Sequence, residues 1–288
     1  KDKYSRSQEY LKENTRLSVI AATFSLAVTL LMVLLGGFNW LDLWVRQYEF
    51  SPLITGLVFF ATLAFLQDVL TTPFSIYQTF IIEEKYGFNK TTWQIFITDK
   101  LKGYLLFTII GGCLLYMALY FFETAGPQGW LYVWAIIAGF SIIIQPLFTT
   151  FIAPLFNKFT PLEDGELKTA INKHADEIEF PIARVDVMDG SRRSSKANAY
   201  FSGLGKTKRI ALFDTLIKDH STNELLSILA HEVGHYKRKH IIKGMAFSII
   251  NSGIMLLVLS KFLNNPELFA AFKMDHLSVY ASFIFFSL

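Results

Sequence analysis

Five apolar blocks, each long enough to cross a lipid bilayer, constrain this chain more than any other feature. They cover about 17–38, 53–81, 101–122, 130–156 and 243–262. Roughly 20 apolar residues in a helix span the ~30 Å hydrocarbon core. Lipid offers the backbone no hydrogen-bond partner, so blocks of this length are expected to be helices. Composition agrees: 52% of residues are apolar and only 18% charged, against about 25% charged in a typical soluble domain. A further apolar run, LSVYASFIFFSL, opens at Leu277 and reads as the start of a sixth span. That run and the Lys at position 1 read as the ends of a fragment. The expected fold class is mostly α: a polytopic membrane protein with several transmembrane helices around a polar chamber, carrying one small α+β domain.

Basic residues set an expected orientation. Lys1, Lys3, Arg6, Lys12 and Arg16 precede the first block, and Lys85, Lys90, Lys100 and Lys102 lie around the connection between the second and third. The intervening loop at 39–52 has only Arg46, and 123–129 has no basic residue. Lys and Arg mark cytoplasmic loops. The N-terminal segment, the 82–102 loop and the large insertion at 157–242 are therefore expected on the cytoplasmic side. Within the second block stand Gln67, Asp68, Thr71, Thr72, Gln78 and Thr79, and within the fourth Gln145, Thr149 and Thr150. They line a polar cavity or hydrogen-bond between packed helices, and the sequence leaves both open.

The insertion carries mixed periodicities. Residues 164–178 have helical spacing, 184–188 (RVDVM) alternate like a strand, and 189–197 read as a loop. Residues 198–201 and 209–213 are further strand candidates joined by a turn at 203–207. That turn, GLGKT, lacks the spacing of a phosphate loop, so no nucleotide partner is expected. The basic residues are interrupted by acids and apolar blocks, which gives no nucleic-acid surface. A single Cys113 allows neither an intramolecular disulfide nor a thiolate metal site.

Chemistry enters at 221–236. Ser221 followed by Glu224 has the form of a capping box and predicts a helix start. The helix then carries His231-Glu232-Val233-Gly234-His235, the pattern H-E-x-x-H. Residues four apart share a helix face, so both imidazoles can meet one Zn²⁺. Glu232, offset to one side, can take a proton from the attacking water. The competing reading is a pair of solvated histidines on an amphipathic face. The capped start, the apolar surroundings and the membrane block immediately downstream favour metal. A catalytic zinc needs a third protein ligand. On a continuous helix His240 would point about 140° away from the His235 face. Glu267, Asp275 and His276 lie in a loop expected across the membrane. The third ligand is therefore expected outside this sequence.

Longer stretches carry a resemblance. Residues 80–92 (FIIEEKYGFNKTT), 152–162 (IAPLFNKFTPL), 195–203 (SKANAYFSG), 209–216 (RIALFDTL) and 229–240 (LAHEVGHYKRKH) resemble the type I CAAX prenyl endopeptidases. These are integral-membrane zinc proteases with seven spans around a water-filled chamber. The resemblance implies one Zn²⁺ held by His231 and His235, with Glu232 as catalytic base. It also implies a third ligand, a glutamate well downstream, which this chain lacks. Asn198 and Ala199 would belong to an edge strand near the zinc that binds substrate as an added β-strand. The spans would correspond to the family's second to seventh.

The expected domains are a four-span region at 1–156, a cytoplasmic metalloprotease domain at 157–242, and a membrane region at 243–288. The expected function is zinc-dependent endopeptidase action near the C-terminus of prenylated CAAX-type proteins, or on membrane or misfolded proteins. The expected partners are such substrates and the lipid bilayer, in a bacterial inner membrane or the endoplasmic reticulum. The alternatives are a heat-shock membrane zinc protease and a non-catalytic scaffold or binding module with a structural metal.

Overall fold

A computed structural model of the chain describes residues 2–178, 180, 182–202 and 209–287. Five of its helices are long and apolar enough to cross a membrane: Asp2–Leu34, Pro52–Glu83, Trp93–Thr124, Gly129–Phe156 and His240–Phe262. Each contains most or all of one of the five apolar blocks. The chain clusters into two compact units, one formed by Lys1–Tyr86, Gly103–Ile137 and Asn251–Leu288, the other by Gly87–Lys102 and Ala138–Ile250.

In the first unit, helix α1 (Asp2–Leu34) begins well before the apolar block. Its polar first half is held by side chains at the end of the second span. Tyr10 donates to Glu83 Oε1 at 2.5 Å, Gln78 Nε2 to Asn14 Oδ1 at 2.6 Å, and Lys85 pairs with Glu13. The helix stops at Leu34, short of the block's expected end. Gly36 takes the left-handed conformation (φ +70°) that commonly ends helices, and a separate helix α2 (Gly37–Arg46) follows. Helix α3 (Pro52–Tyr77) contains Pro73 and passes into a π-helical turn, Gln78–Glu83. Helix α4 (Trp93–Leu106), whose first part belongs to the second unit, leads through a second π turn (Phe107–Gly111) into α5 (Gly112–Thr124). Helix α6 (Gly129–Leu147) passes from the first unit into the second, where it contains Pro146 and is followed at once by a third π turn, Phe148–Ile152. Proline removes a backbone donor and clashes with the carbonyl four residues back, so local rewinding near Pro73 and Pro146 has a cause in the sequence.

Of the two readings for the polar second span, Asp68 takes the interhelical one. Its carboxylate accepts from Tyr104 Oη on α4, and from Thr72 Oγ1 at 3.3 Å. The apolar run from Leu277 holds two short helices, Val279–Ser282 and Ile284–Ser287, flanking Phe283. Both have residues in the core built around Phe59, Leu119 and Tyr280. Polar anchors hold this run: Tyr280 Oη donates to the buried Asp42, which also takes Arg46 Nε at 2.7 Å, and Ser282 Oγ accepts Asn264 N–H at 3.1 Å.

The second unit holds the insertion. After the short α7 (Ala153–Phe156) come β1 (Phe159–Pro161), α8 (Glu166–Glu177) and β2 (Arg184–Met188). Then follow β3 (Ala199–Ser202), β4 (Arg209–Phe213), α9 (Asp214–Asp219), α10 (Thr222–Lys237) and α11 (His240–Phe262). The strands make one sheet of order β1-β2-β4-β3. The β2–β4 pair is parallel (Asp186 opposite Ala211) and the two outer pairs antiparallel. Strands β2 and β4 take the bounds expected for them, β2 from its alternation and β4 as a short strand candidate. Strand β1 was not expected, because three residues ending in Pro carry no period. The expected loop at 189–197 contains a 3₁₀ turn, Gly190–Arg192. The turn expected at 203–207 lies outside the described residues.

Burial explains the sheet's central strands. Ile210, Ala211 and Leu212 of β4 are all buried, and Ile210 and Leu212 pack with Val185, Ile171 of α8, and Leu225 and Leu229 of α10. Between them sits a fully buried carboxylate, Asp186. It accepts from Arg184 Nε at 2.5 Å and from Arg209 Nε. Arg209 also donates to the Thr149 carbonyl at 3.2 Å and stacks over Phe159 at 4.6 Å. Removing one partner of a buried ion pair typically costs 3–5 kcal/mol. Asp186→Ala is expected to destabilise this unit by about 3 kcal/mol, toward the low end because Arg184 is half exposed. Thermal unfolding of the purified variant checks this; an unchanged midpoint would contradict it.

Candidate metal centre

Helix α10 carries the motif, and its start is built as the capping box predicts. Ser221 N–H and Oγ each lie 2.8 Å from Glu224 Oε2. Glu224 N–H reaches back to Ser221 Oγ at 3.5 Å, a longer contact. Leu225, Leu229 and Val233, each one turn after the last, are buried along a single stripe. This stripe seats α10 on the sheet and on α8.

At about 100° per residue, His231 and His235 lie ~40° apart around the helix, on a flank away from that stripe. Glu232 falls between His235 and the buried stripe. The accessibilities follow this wheel: His231 is exposed, Glu232 half-buried and Val233 buried. The side chain of His235 lies outside the described part of the structure, although its backbone continues α10.

Just past the motif the chain departs from expectation. The helix does not continue to His240. It ends at Lys237, Lys239 takes a left-handed conformation (φ +56°), and α11 starts at His240. Extrapolating the helix wheel from His235 to His240 is therefore invalid. His240 is an exposed residue in the first turn of the membrane-spanning α11. No Gly or Pro marks this break.

Beside α10 lies strand β3, which has β4 on one side and stands at the end of the sheet. Asn198 is exposed and immediately precedes it; its carbonyl accepts from Phe213 N–H at 3.0 Å and its Oδ1 from Ala199 N–H at 2.8 Å. The Ala199 side chain is buried in the cluster under α10, so any contact it offers an outside chain is through its backbone. Next along β3, burial pushes the Tyr200 hydroxyl above its usual range, so it stays protonated near neutrality.

The donor chemistry fits zinc in part. His231 and the backbone position of His235 stand one turn apart beside the half-buried Glu232, the spacing that two ligands and the base of a catalytic zinc site require. Among the described residues no three His, Cys, Asp or Glu side chains converge as a metal site. Asp275, weighed from the sequence, is engaged elsewhere: it accepts from Asn39 Nδ2 at 2.7 Å.

Known proteins share this architecture. Residues 1–158 match the family model "CAAX prenyl protease N-terminal, five membrane helices", and residues 161–288 match "Peptidase family M48". CAAX prenyl protease 1 of Saccharomyces cerevisiae is 36% identical over 282 residues, covering 93% of this chain and 62% of the yeast protein. The probable CAAX prenyl protease 1 of Schizosaccharomyces pombe is 38% identical, covering 94% and 60% respectively. The human homologue is 32% identical, covering 93% and 66%. The crystal structure of S. mikatae Ste24p superposes with a TM-score of 0.91 at 32% identity, over 98% of this chain and 70% of that one. The chain belongs to peptidase family M48, in its CAAX prenyl protease branch, and is an integral membrane protein. It spans about three-fifths of the yeast relatives' length. Membership in this metallopeptidase family implies a metal cofactor.

The capping box has a pH signature. Bonds from the Ser221 backbone N–H and then its hydroxyl hold the Glu224 carboxyl below its ordinary value of 4.5. A carboxyl depressed on folding stabilises the helix start above that ordinary value, and the contribution is lost as pH falls through the lower folded value. Hydrogen-exchange protection at the start of α10 is expected to fall over that acid window in the wild type. In Glu224→Gln this pH dependence should be absent; the same acid loss in that variant would contradict the assignment.

Proposed function

We propose that this protein is a zinc-dependent membrane endopeptidase that hydrolyses peptide bonds near the C-terminus of prenylated CAAX-type proteins. The observation that carries the reading is the H-E-x-x-H pattern on the capped helix α10, alongside an edge strand. His231 and His235 would hold the metal with a third ligand, expected to be a glutamate. Bound zinc would supply Lewis acidity to the scissile carbonyl and acidify the attacking water. The half-buried Glu232 takes the proton from that water and returns it to the leaving amine. Asn198 and the Ala199 backbone hold the substrate as an extended strand against β3.

The names of the relatives support a prenylated protein substrate. Membrane or misfolded proteins form a second substrate class open to the same chemistry. The distribution of Lys and Arg supports a cytoplasmic face for residues 157–242, which we propose as the catalytic domain, flanked by membrane regions at 1–156 and 243–288. A prenyl group inserted in the bilayer would then present its peptide on the same side as α10.

General acid–base groups contribute typically 10²–10⁴-fold. Glu232→Gln in the full-length protein is expected to lower kcat for a prenylated peptide by about 10³-fold with unchanged thermal stability. Cleavage at the wild-type rate would overturn the proposed role of Glu232.

A further inference from the structure

Arg193, in the segment leading into β3, gathers an unusual set of contacts. Its Nε and Nη2 form a two-pronged pair with Asp99 of α4, at 2.8 and 3.0 Å. Its Nη1 donates to Asn157 Oδ1 at 2.9 Å. Its carbonyl accepts Lys90 N–H at 3.0 Å and Thr91 Oγ1 at 3.1 Å. One residue thereby touches the first turns of the third span, the connection before it and the segment after the fourth. The pair is largely buried, with side-chain exposures of 22% for Arg193 and 25% for Asp99. A guanidinium fork matched to a carboxylate fixes direction as well as distance, which lysine cannot do.

The next three residues continue the attachment. Ser194 bridges Asn89, Ser195 N–H donates to the Phe88 carbonyl at 3.0 Å, and Ser195 Oγ to the Gly87 carbonyl at 3.0 Å. The Lys196 ammonium lies over the Phe88 ring at 5.0 Å, and its carbonyl accepts Thr215 Oγ1 at 3.0 Å. Residues 193–196 are thus fastened to the connection between the second and third spans. Asn198 and β3 begin two residues later. Among the described residues β3 pairs with β4 alone, and its position depends on what holds its ends.

We propose that Arg193 is a positioning residue that sets the height of the substrate-binding edge, β3, by tying it to the membrane-embedded α4. This rests on the endopeptidase reading above. The fork to Asp99 holds the strand beside α10 against the first turns of α4, within the same unit. An extended peptide pairing with β3 is then delivered to α10 in one register. Loosening the fork leaves the residues of α10 in place and weakens the productive docking of the peptide.

The test compares wild type, Arg193→Lys and Arg193→Ala in the full-length protein reconstituted in lipid, with a prenylated peptide substrate. The expected result for Arg193→Ala is a KM raised about tenfold with kcat within about threefold, the pattern of lost binding. Zinc content should stay at the wild-type value. Arg193→Lys keeps the charge but not the fork and should fall between. Should Arg193→Ala not accumulate, Arg193→Lys and Asn157→Ala, each removing part of the set, carry the test. A KM within twofold of wild type in every folded variant, or a loss confined to kcat, would overturn the proposal. A merely structural role would lower the yield and melting temperature and leave KM unchanged. If wild type cleaves no prenylated peptide, the endopeptidase reading fails; if it cleaves and the variants keep its KM, only the role of Arg193 fails.

Discussion

The bilayer's inability to hydrogen-bond the backbone shapes everything else in this chain. Peptide groups in hydrocarbon must satisfy one another within a helix, so long apolar helices leave no place for an irregular segment. The sheet and the histidine-bearing helix are accordingly gathered in the segment 157–242, between the fourth and fifth candidate spans. The site must then be positioned by what connects that segment to the spans. Helix α10 is separated from the membrane-spanning α11 by a two-residue turn. The sheet is tied through Arg209 to the Thr149 carbonyl, inside the π turn that follows α6.

Polar interactions supply direction where apolar burial supplies only cohesion. The stripe of Leu225, Leu229 and Val233 turns one face of α10 inward. The capping box fixes where the helix begins. Asp186, with two arginines on adjacent strands, pins the parallel register of β2 against β4 in the same way. A one-residue slip would turn Asp186 to the opposite face of the sheet, away from Arg209.

Local signals were legible in the sequence. Apolar length gave the spans, alternation gave β2, and Ser221 with Glu224 gave the start of α10. The spacing from His231 to His235 gave the candidate site, and the wider motifs gave a family that comparison with known proteins bears out. Gly36 was a readable stop for α1 that the apolar count overrode. What stayed hidden depends on partners far along the chain. Arg193 and Asp99 are 94 positions apart, and neither has a local pattern that distinguishes it from other surface charges. The break at Lys239 falls at a residue with no preference for left-handed backbone, so nothing local announces it. Strand β1 and the π turns are short departures that no period announces.

The most direct measurement is the zinc content of the purified full-length protein by elemental analysis, with His231→Ala and His235→Ala alongside. One zinc per chain in the wild type, lost in each variant, is the result expected of an α10 metal centre. A wild type without zinc, or variants that keep one zinc per chain, would contradict it and reduce H-E-x-x-H to two histidines on a solvated helix face.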